Sequence, residues 1–405
     1  MTPAATVDDH AMLIDRLLAP VIGSLGSETV ALPAALGRVT STDIHSDVDL
    51  PLFRNSQMDG FAVRASDVAT APIALEVTGD IPAGHASPVT LIPGTALRIM
   101  TGAPMPEGAD AVVPVEDTEL VLGRDDGLEG AIVTIARGRE AGEFVRERGS
   151  DLRRGDLLIA AGTRLAPRHL AALAAAGVGS VDARRRLRVG VITTGAELVA
   201  VDEELALGRI FDANRIALTA GIIDAGAVVS VATSSDDDPR TFRHILDDVV
   251  GASDLVITSG GVSKGAFEVV REVLEPLGAS VGSVAMQPGG PQGTAVLDGV
   301  PIVCFPGNPV STQVSFAVFL APVLRRVAGL PPETRESRVL AAAVESVAGK
   351  RQFLRGIADD DGTVAVVAGP SSHLVAAMAL ANALIDIPHD TTRLEAGEKV
   401  TVWML

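Results

Sequence analysis

Residues Asp254–Gly265, DLVITSGGVSKG, form a short Val/Ile run that breaks into a glycine loop. A continuous apolar run of this length, without alternation, is the pattern of a strand buried on both faces, as in a parallel sheet covered by helices. The pattern recurs on either side, in LRVGVI (187–192), VVSVA (228–232) and PIVCF (301–305). Between these runs lie helical stretches: RIALTAGIIDAG (215–226), TFRHILDDVV (241–250) and FEVVREVLEPLG (267–278). Strand alternating with helix predicts a doubly wound, mostly parallel α/β domain, placed at residues 187–331.

The flanking texture differs. Residues 53–146 hold short β-rich pieces (IALEV, ALRIM, DAVVPV, AIVTIA) separated by Gly and Pro turns, which reads as an inserted β-rich domain. Residues 1–52 and 147–186 read together as a helical and extended N-terminal linker domain. A helix is expected over 8–40, with Met12, Ile14, Leu17, Leu18 and Val21 on one face. A second follows Pro167 and stops at Gly177. The basic run Arg184–Arg188 reads as a solvated linker. From 335 to 405, VLAAAVES, TVAVVAG and KVTVWML restore β texture.

At 405 residues the chain has room for two to four domains. Aromatics are only 3%, with no Tyr and one Trp, so the cores rest on Val, Leu, Ile and Ala. Few aromatics and a formal charge of −18 argue against nucleic acid and against an anionic membrane surface as partners. Cys304 stands alone, which excludes an intrachain disulfide or a cysteine metal cluster. With an N-terminus that lacks a basic signal-peptide region, this leads us to expect a cytoplasmic protein. The longest apolar stretch, near Leu170–Val181, is too short to span a bilayer.

In an open parallel sheet, ligands bind beyond the carboxyl ends of the strands. Each proposed strand here ends in a polar or glycine-rich loop: TTGAEL (193–198), TSSDDDP (233–239), SGGVSKG (259–265) and PGNPVS (306–311). Gly260 and Gly261 let backbone approach a ligand and turn N–H groups toward an anion; alternatively they form a plain turn. Asn308 and Ser311 open a helix, where the dipole favours negative charge. Glu197, Asp236, Asp237, Asp238 and Glu268 supply the carboxylate oxygens that Mg²⁺ prefers, although Asp238-Pro239 also reads as a helix cap. The sequence has no P-loop, no G-x-G-x-x-G after a strand, no metal-spaced His pair and no G-x-S-x-G.

Taken together, PLFRNSQMDGFAVR (51–64), RIMTGAPMPEGADAVVPVE (98–116), SGGVS and PGNPVS resemble, in order and spacing, the molybdopterin molybdenumtransferase family, which includes the carboxyl-terminal domain of gephyrin. The resemblance covers nearly the whole chain. It implies a central molybdopterin-binding-like α/β domain, a small C-terminal β-barrel, and insertion of molybdate into adenylylated molybdopterin with release of AMP, supported by Mg²⁺. It also implies a homodimer whose site is shared between subunits, with Asp59 and Thr101 contributed from the β-rich insert; without the resemblance, Asp59-Gly60 reads as a hairpin turn and Thr101–Pro104 as a loop. A molybdopterin adenylyltransferase is a further candidate partner.

Carried over by the resemblance as catalytic are Asp59, Thr101, Asp151, Glu197 and Asp237, with Glu197, Asp237 and Glu268 as metal ligands. The ligand-binding positions are Ser259, Gly260, Gly261, Val262, Ser263, Lys264, Pro288, Pro291, Pro306, Gly307, Asn308, Pro309, Ser311, Arg355 and Ser372. Several positions depart from the family pattern. Ala196 stands for an acid in T-G-D-E-L, Ser150 for Glu in R-G-E-D, and Glu268 for Asp. Gln287 and Gly290, within MQPGGPQG, stand where two lysines help hold the oxyanion. Lys264 is a compensating cation or a surface lysine. Two other readings remain: a scaffold of the same fold with weakened catalysis, and a molybdopterin adenylyltransferase, which typically carries S-G-G-T-G where this chain has S-G-G-V-S.

Overall fold

A computed structural model describes residues 4–84, 89–123, 128, 130–263 and 268–405. Two compact units emerge, one formed by Met1–Glu28 with Arg184–Leu405 and the other by Thr29–Ala183.

The first unit is built on a six-stranded sheet in the order Val228–Ser235, Arg188–Thr194, Leu255–Ser259, Val300–Phe305, Pro291–Leu297, Ser280–Ser283. The first four strands are parallel, Pro291–Leu297 runs antiparallel to them, and Ser280–Ser283 pairs antiparallel with Pro291–Leu297. Side chains alternate across it, and both sets are buried. Val189, Val191, Leu255, Ile257, Val303 and Phe305 meet Ile14 and Leu18 of helix Val7–Gly23, Leu218 and Ile222 of helix Ala213–Asp224, and Val310 and Val314. On the other face, Ile192, Val256, Ile302 and Cys304 meet Phe242, Leu246, Val249 and Val250 of helix Pro239–Ala252, and Val269, Val270 and Leu274 of helix Val269–Leu274. Each such aliphatic side chain removed from water contributes about 1.5–3 kcal/mol. Gly190 shows how close the covering helix lies: a Cβ there would sit 2.3 Å from Val249 Cγ1.

The same unit carries a closed five-stranded barrel. Arg351–Ala358, Thr363–Val366, Arg335–Leu340, Lys399–Met404 and Ala383–Ile387 pair in a ring, and Arg351–Ala358 pairs with Ala383–Ile387 to close it. Leu354, Val364, Ile385 and Val402 fill the interior. Met286–Gln287, leaving the α/β sheet, pairs in parallel with Arg351–Gln352 on the barrel edge.

The second unit centres on a six-stranded sheet in the order Ala111–Pro114, Gly60–Val63, Thr95–Ile99, Ile73–Ile81, Ile132–Ile135, Thr118–Val121. All four β-rich pieces read from the sequence fall in it. Phe61, Val63, Leu75, Val77, Val113 and Val133 pack on one face, with Ala62, Ile81, Leu97 and Val112 on the other.

Three local expectations change. The first helix stops at Gly23 instead of reaching 40, and Ser27–Ala31 forms a strand. Pro20 lies in the last turn and no basic residue supports the C-terminus, so Gly23-Ser24 ends the run. Met12 is 54% exposed, so the buried stripe is Val7, His10, Ile14 and Leu18. Arg184–Arg188 is not simply a solvated linker, because Asp254 lies 3.2 Å from Arg185 and 2.9 Å from Arg188. The helix after Pro167 forms as expected, over Pro167–Ala175, with Gly177 at φ +77°.

Candidate active site

The parallel strands of the first unit end level. Thr193 pairs with both Ser234 and Ser259, and Ser259 pairs with Phe305. The chain must therefore leave the sheet at one edge, and the loops there enclose a cleft of about 750 Å³. Its wall includes Glu197, Asp237, Ser259, Gly260, Gly261, Val262, Ser263, Glu268, Pro288, Pro291, Pro306, Gly307, Asn308, Pro309, Ser311 and Ser372. Sixteen residues singled out from the sequence are thus brought together. Ser372 arrives from the barrel, and its carbonyl accepts from the Val310 N–H at 3.0 Å.

The two glycine loops touch. A Cβ on Gly307 would lie 3.3 Å from Gly260 Cα. Gly260 has φ +102°, and a Cβ there would lie 2.6 Å from Thr194 Oγ1 and 2.7 Å from the Thr194 carbonyl oxygen. Glycine is thus demanded by both backbone conformation and space. Its N–H does not point at a ligand, however, because it donates to the Phe305 carbonyl at 3.1 Å.

The three neighbouring aspartates separate by role. Asp238 caps helix Pro239–Ala252, accepting from the N–H groups of Arg240 and Thr241 at 2.9 Å. The Thr241 N–H, above all, holds its carboxyl below the usual range. Asp236 accepts from the Asp238 N–H, so neither of these two joins the cleft wall. Only Asp237 does, accepting from the Ala196 N–H at 3.2 Å. Glu268 accepts from the Ser263 N–H at 2.8 Å. Among the described residues no three His, Cys, Asp or Glu side chains converge into a ready metal cage. Glu197, Asp237 and Glu268 nonetheless present hard oxygen donors along one wall, the donor set Mg²⁺ takes when it keeps its waters and shares phosphate oxygens.

Arg355 is absent from this wall. Its side chain is 1% exposed, and its Nη2 donates to the Gly369 carbonyl behind the loop Pro370–His373 that lines the cleft. Burial lowers its pKa from the ordinary guanidinium value. Gln287 joins the wall as a neutral group, with Oε1 accepting from Gln352 Nε2 at 2.7 Å. Lys264 lies outside the described residues. Cys304 is buried on the far face of the sheet and its thiol is pushed up to about 12 by burial, which removes it as a nucleophile.

The sequence reading missed Thr194, Asp212, Asn214 and His373. Asp212 is buried, accepts from Thr193 Oγ1 at 2.6 Å and caps helix Ala213–Asp224 through the Arg215 N–H. An Asp placed before a helical run was the available signal. Thr194 lay within the strand-end loop TTGAEL without being singled out, and Asn214 and His373 carried no signal.

In the second unit, Asp59 and Thr101 meet directly, with the Thr101 N–H and hydroxyl donating to Asp59 Oδ1 at 2.6 and 2.7 Å. Asp59-Gly60 is not a hairpin turn. Gly60 begins a strand between Thr95–Ile99 and Ala111–Pro114, where a Cβ would lie 2.0 Å from the Val113 carbonyl oxygen. Asp151 is exposed, following Arg148, which pairs with Asp49 at 2.6 Å.

A doubly wound α/β domain with a polar cleft at level strand ends, joined to a small barrel that supplies part of the wall, is the architecture of α/β proteins that bind small molecules beyond the carboxyl ends of their strands. Comparison with known proteins narrows it. Residues 5–177 match the MoeA N-terminal region (domain I and II), 190–326 a probable molybdopterin binding domain, and 337–405 the MoeA C-terminal region (domain IV). The chain is 43% identical to molybdopterin molybdenumtransferase 2 of Mycobacterium tuberculosis, covering 99% of each. It is 35% identical to the molybdopterin molybdenumtransferase of Bacillus subtilis, covering 94% of this chain and 90% of the relative. The crystal structure of a molybdopterin biosynthesis MoeA protein from Pyrococcus horikosii superposes with a TM-score of 0.79 at 32% identity, covering 96% of this chain and 98% of that one. The chain belongs to the molybdopterin molybdenumtransferase family.

Proposed function

We propose that this protein inserts molybdate into adenylylated molybdopterin and releases AMP. The observation that carries this reading is the strand-end cleft with its two touching glycine loops, Ser259–Ser263 and Pro306–Ser311, in a chain 43% identical from end to end to a relative of that activity. The loops seat the phosphate-bearing part of the ligand, and Ser372 and Gln287 close the wall from the barrel side. Glu197, Asp237 and Glu268 are the residues that would hold Mg²⁺, which when bound would supply charge neutralisation for the ligand phosphates and Lewis-acid activation of water. Arg355, fixed behind Gly369, keeps the Ser372 loop against the cleft.

The reading extends to a homodimer in which Asp59 and Thr101 of one copy complete the other copy's site, and it keeps Asp151 as a further catalytic acid. It places the protein in the cytoplasm, supplied with substrate by a molybdopterin adenylyltransferase. It also divides the chain into four domains, at 1–52 plus 147–186, 53–146, 187–331 and 335–405.

The test is AMP release from adenylylated molybdopterin by the full chain with Mg²⁺, in the presence of molybdate, tungstate or neither. Release that depends on an oxyanion supports the proposal. No release with either oxyanion overturns it and favours the scaffold reading, which the neutral Gln287 and Gly290 motivate.

A further inference from the structure

We infer that Asn214 is a positioning residue that sets the spacing between the two glycine loops of the cleft. This inference rests on the function proposed above only for its kinetic consequence. Asn214 sits in the first turn of helix Ala213–Asp224 and lines the cleft. Its Nδ2 donates to Ser259 Oγ at 3.0 Å and to the Gly307 carbonyl at 2.7 Å. One amide group therefore bonds to both loops. Gly307 offers only a carbonyl oxygen, which fixes the amide with its nitrogen toward the loops.

The groups it touches are themselves cross-linked. Ser259 Oγ lies 3.3 Å from the Pro306 carbonyl oxygen and 3.1 Å from Thr312 Oγ1, while the Thr312 hydroxyl donates to the same carbonyl at 2.6 Å. Asn214 is anchored from behind, because its helix is capped by buried Asp212, which Thr193 grips from the end of a third strand. Asn214 Oδ1 is buried with no hydrogen-bond partner among the described residues. An unmatched buried acceptor is unfavourable, so the position is explained by what the donor side of the amide does. With the loops passing at van der Waals distance, a shift of either changes the space left for a ligand between them.

Hydrogen–deuterium exchange on the full chain, without ligand, reads the clamp directly. In Asn214→Ala, amides of Ser259–Ser263 and Gly307–Ser311 should exchange about tenfold faster, the loss expected for two hydrogen bonds. Asn214→Asp keeps an acceptor for the Ser259 hydroxyl but sets a carboxylate oxygen against the Gly307 carbonyl, so its effect should concentrate at the second loop. In the AMP-release assay, KM for adenylylated molybdopterin should rise about tenfold in Asn214→Ala, with a smaller change in kcat. Unchanged exchange in both loops overturns the inference. Faster exchange, with neither wild type nor variant releasing AMP, upholds the clamp and overturns the proposed reaction instead.

Discussion

Thr101 gives both its backbone N–H and its hydroxyl to one oxygen of Asp59, at 2.6 and 2.7 Å. The backbone bond and then the hydroxyl hold the Asp59 carboxyl below its ordinary pKa, against an opposing effect of burial that is smaller than either, with the charge of Arg98 adding least. A folded-state pKa lowered in this way stabilises the fold above the unfolded-state value, and that contribution is lost as pH falls through the lowered value. Thr101→Val removes the hydroxyl and keeps the N–H. The Asp59 titration midpoint, followed by carboxyl NMR, should move up toward the ordinary aspartate value while the thermal midpoint hardly changes. An unmoved Asp59 midpoint would show that the hydroxyl does not act on the carboxylate.

Gly260→Ala should destabilise the protein and abolish AMP release. The added methyl meets Thr194 at 2.6 and 2.7 Å, and φ +102° is strained for any L side chain. Such strain costs about 1–3 kcal/mol, read as a fall in the denaturant midpoint. Gly290→Ala is the control. Its Cβ would meet only ordinary contacts, beginning at 3.5 Å, so it should fold as the wild type does.

The four parallel strands were legible because Val/Ile runs and helical spacing are local patterns, and the polar loops followed from where those strands stop; their order in the sheet was not. Burial was harder to read. Asp238 before Pro239 was readable as a helix cap, but nothing local in the sequence separates Asp236 from Asp237, of which only Asp237 lines the cleft. Arg355 looked like an anion ligand by position, yet the barrel closes over it and aims it at Gly369. Asn214 was invisible because its partners, Ser259 and Gly307, are 45 and 93 residues away. Contacts made at such separations leave no periodic trace in the chain.

Asp254 anchors the start of the α/β domain. Burial pushes its carboxyl up, but hydrogen bonds from the Arg188 side chain and backbone, with the charges of Arg185 and Arg188, outweigh that and leave its pKa lowered. Its stabilising effect is therefore present above the usual aspartate pKa and fades as pH falls through the lowered folded value. Asp254→Ala should cost about 2 kcal/mol near neutral pH, below the range for a fully buried pair because both arginines stay partly exposed. Chemical denaturation at pH 7 and pH 3 tests this, since the gap between wild type and variant should narrow at the lower pH. A gap that is constant or wider at pH 3 would assign the effect to packing.

On the proposed reaction, the neutral Gln287 and Gly290 are expected to weaken binding of the oxyanion. Gln287 reaches the cleft as a neutral amide bonded to Gln352, whose Oε1 is buried without a partner among the described residues. A lysine at 287 would place an ammonium donor beside that unmatched acceptor and add a positive charge to the wall. At 290 the backbone has no positive φ and a Cβ meets nothing closer than 3.5 Å, so lysine is sterically admissible there too. Only position 287 lies on the cleft wall, since a Cβ at 290 would face Val284, Ser283 and Met286, so the added cation at 287 should carry the effect and lower the molybdate concentration for half-maximal AMP release by about tenfold, less so with added salt. Gln287→Lys/Gly290→Lys, assayed across molybdate concentrations at low and high ionic strength, checks both parts. Equal saturation in wild type and variant would mean that this wall does not face the oxyanion, and that the neutral residues at 287 and 290 are not what limits its binding.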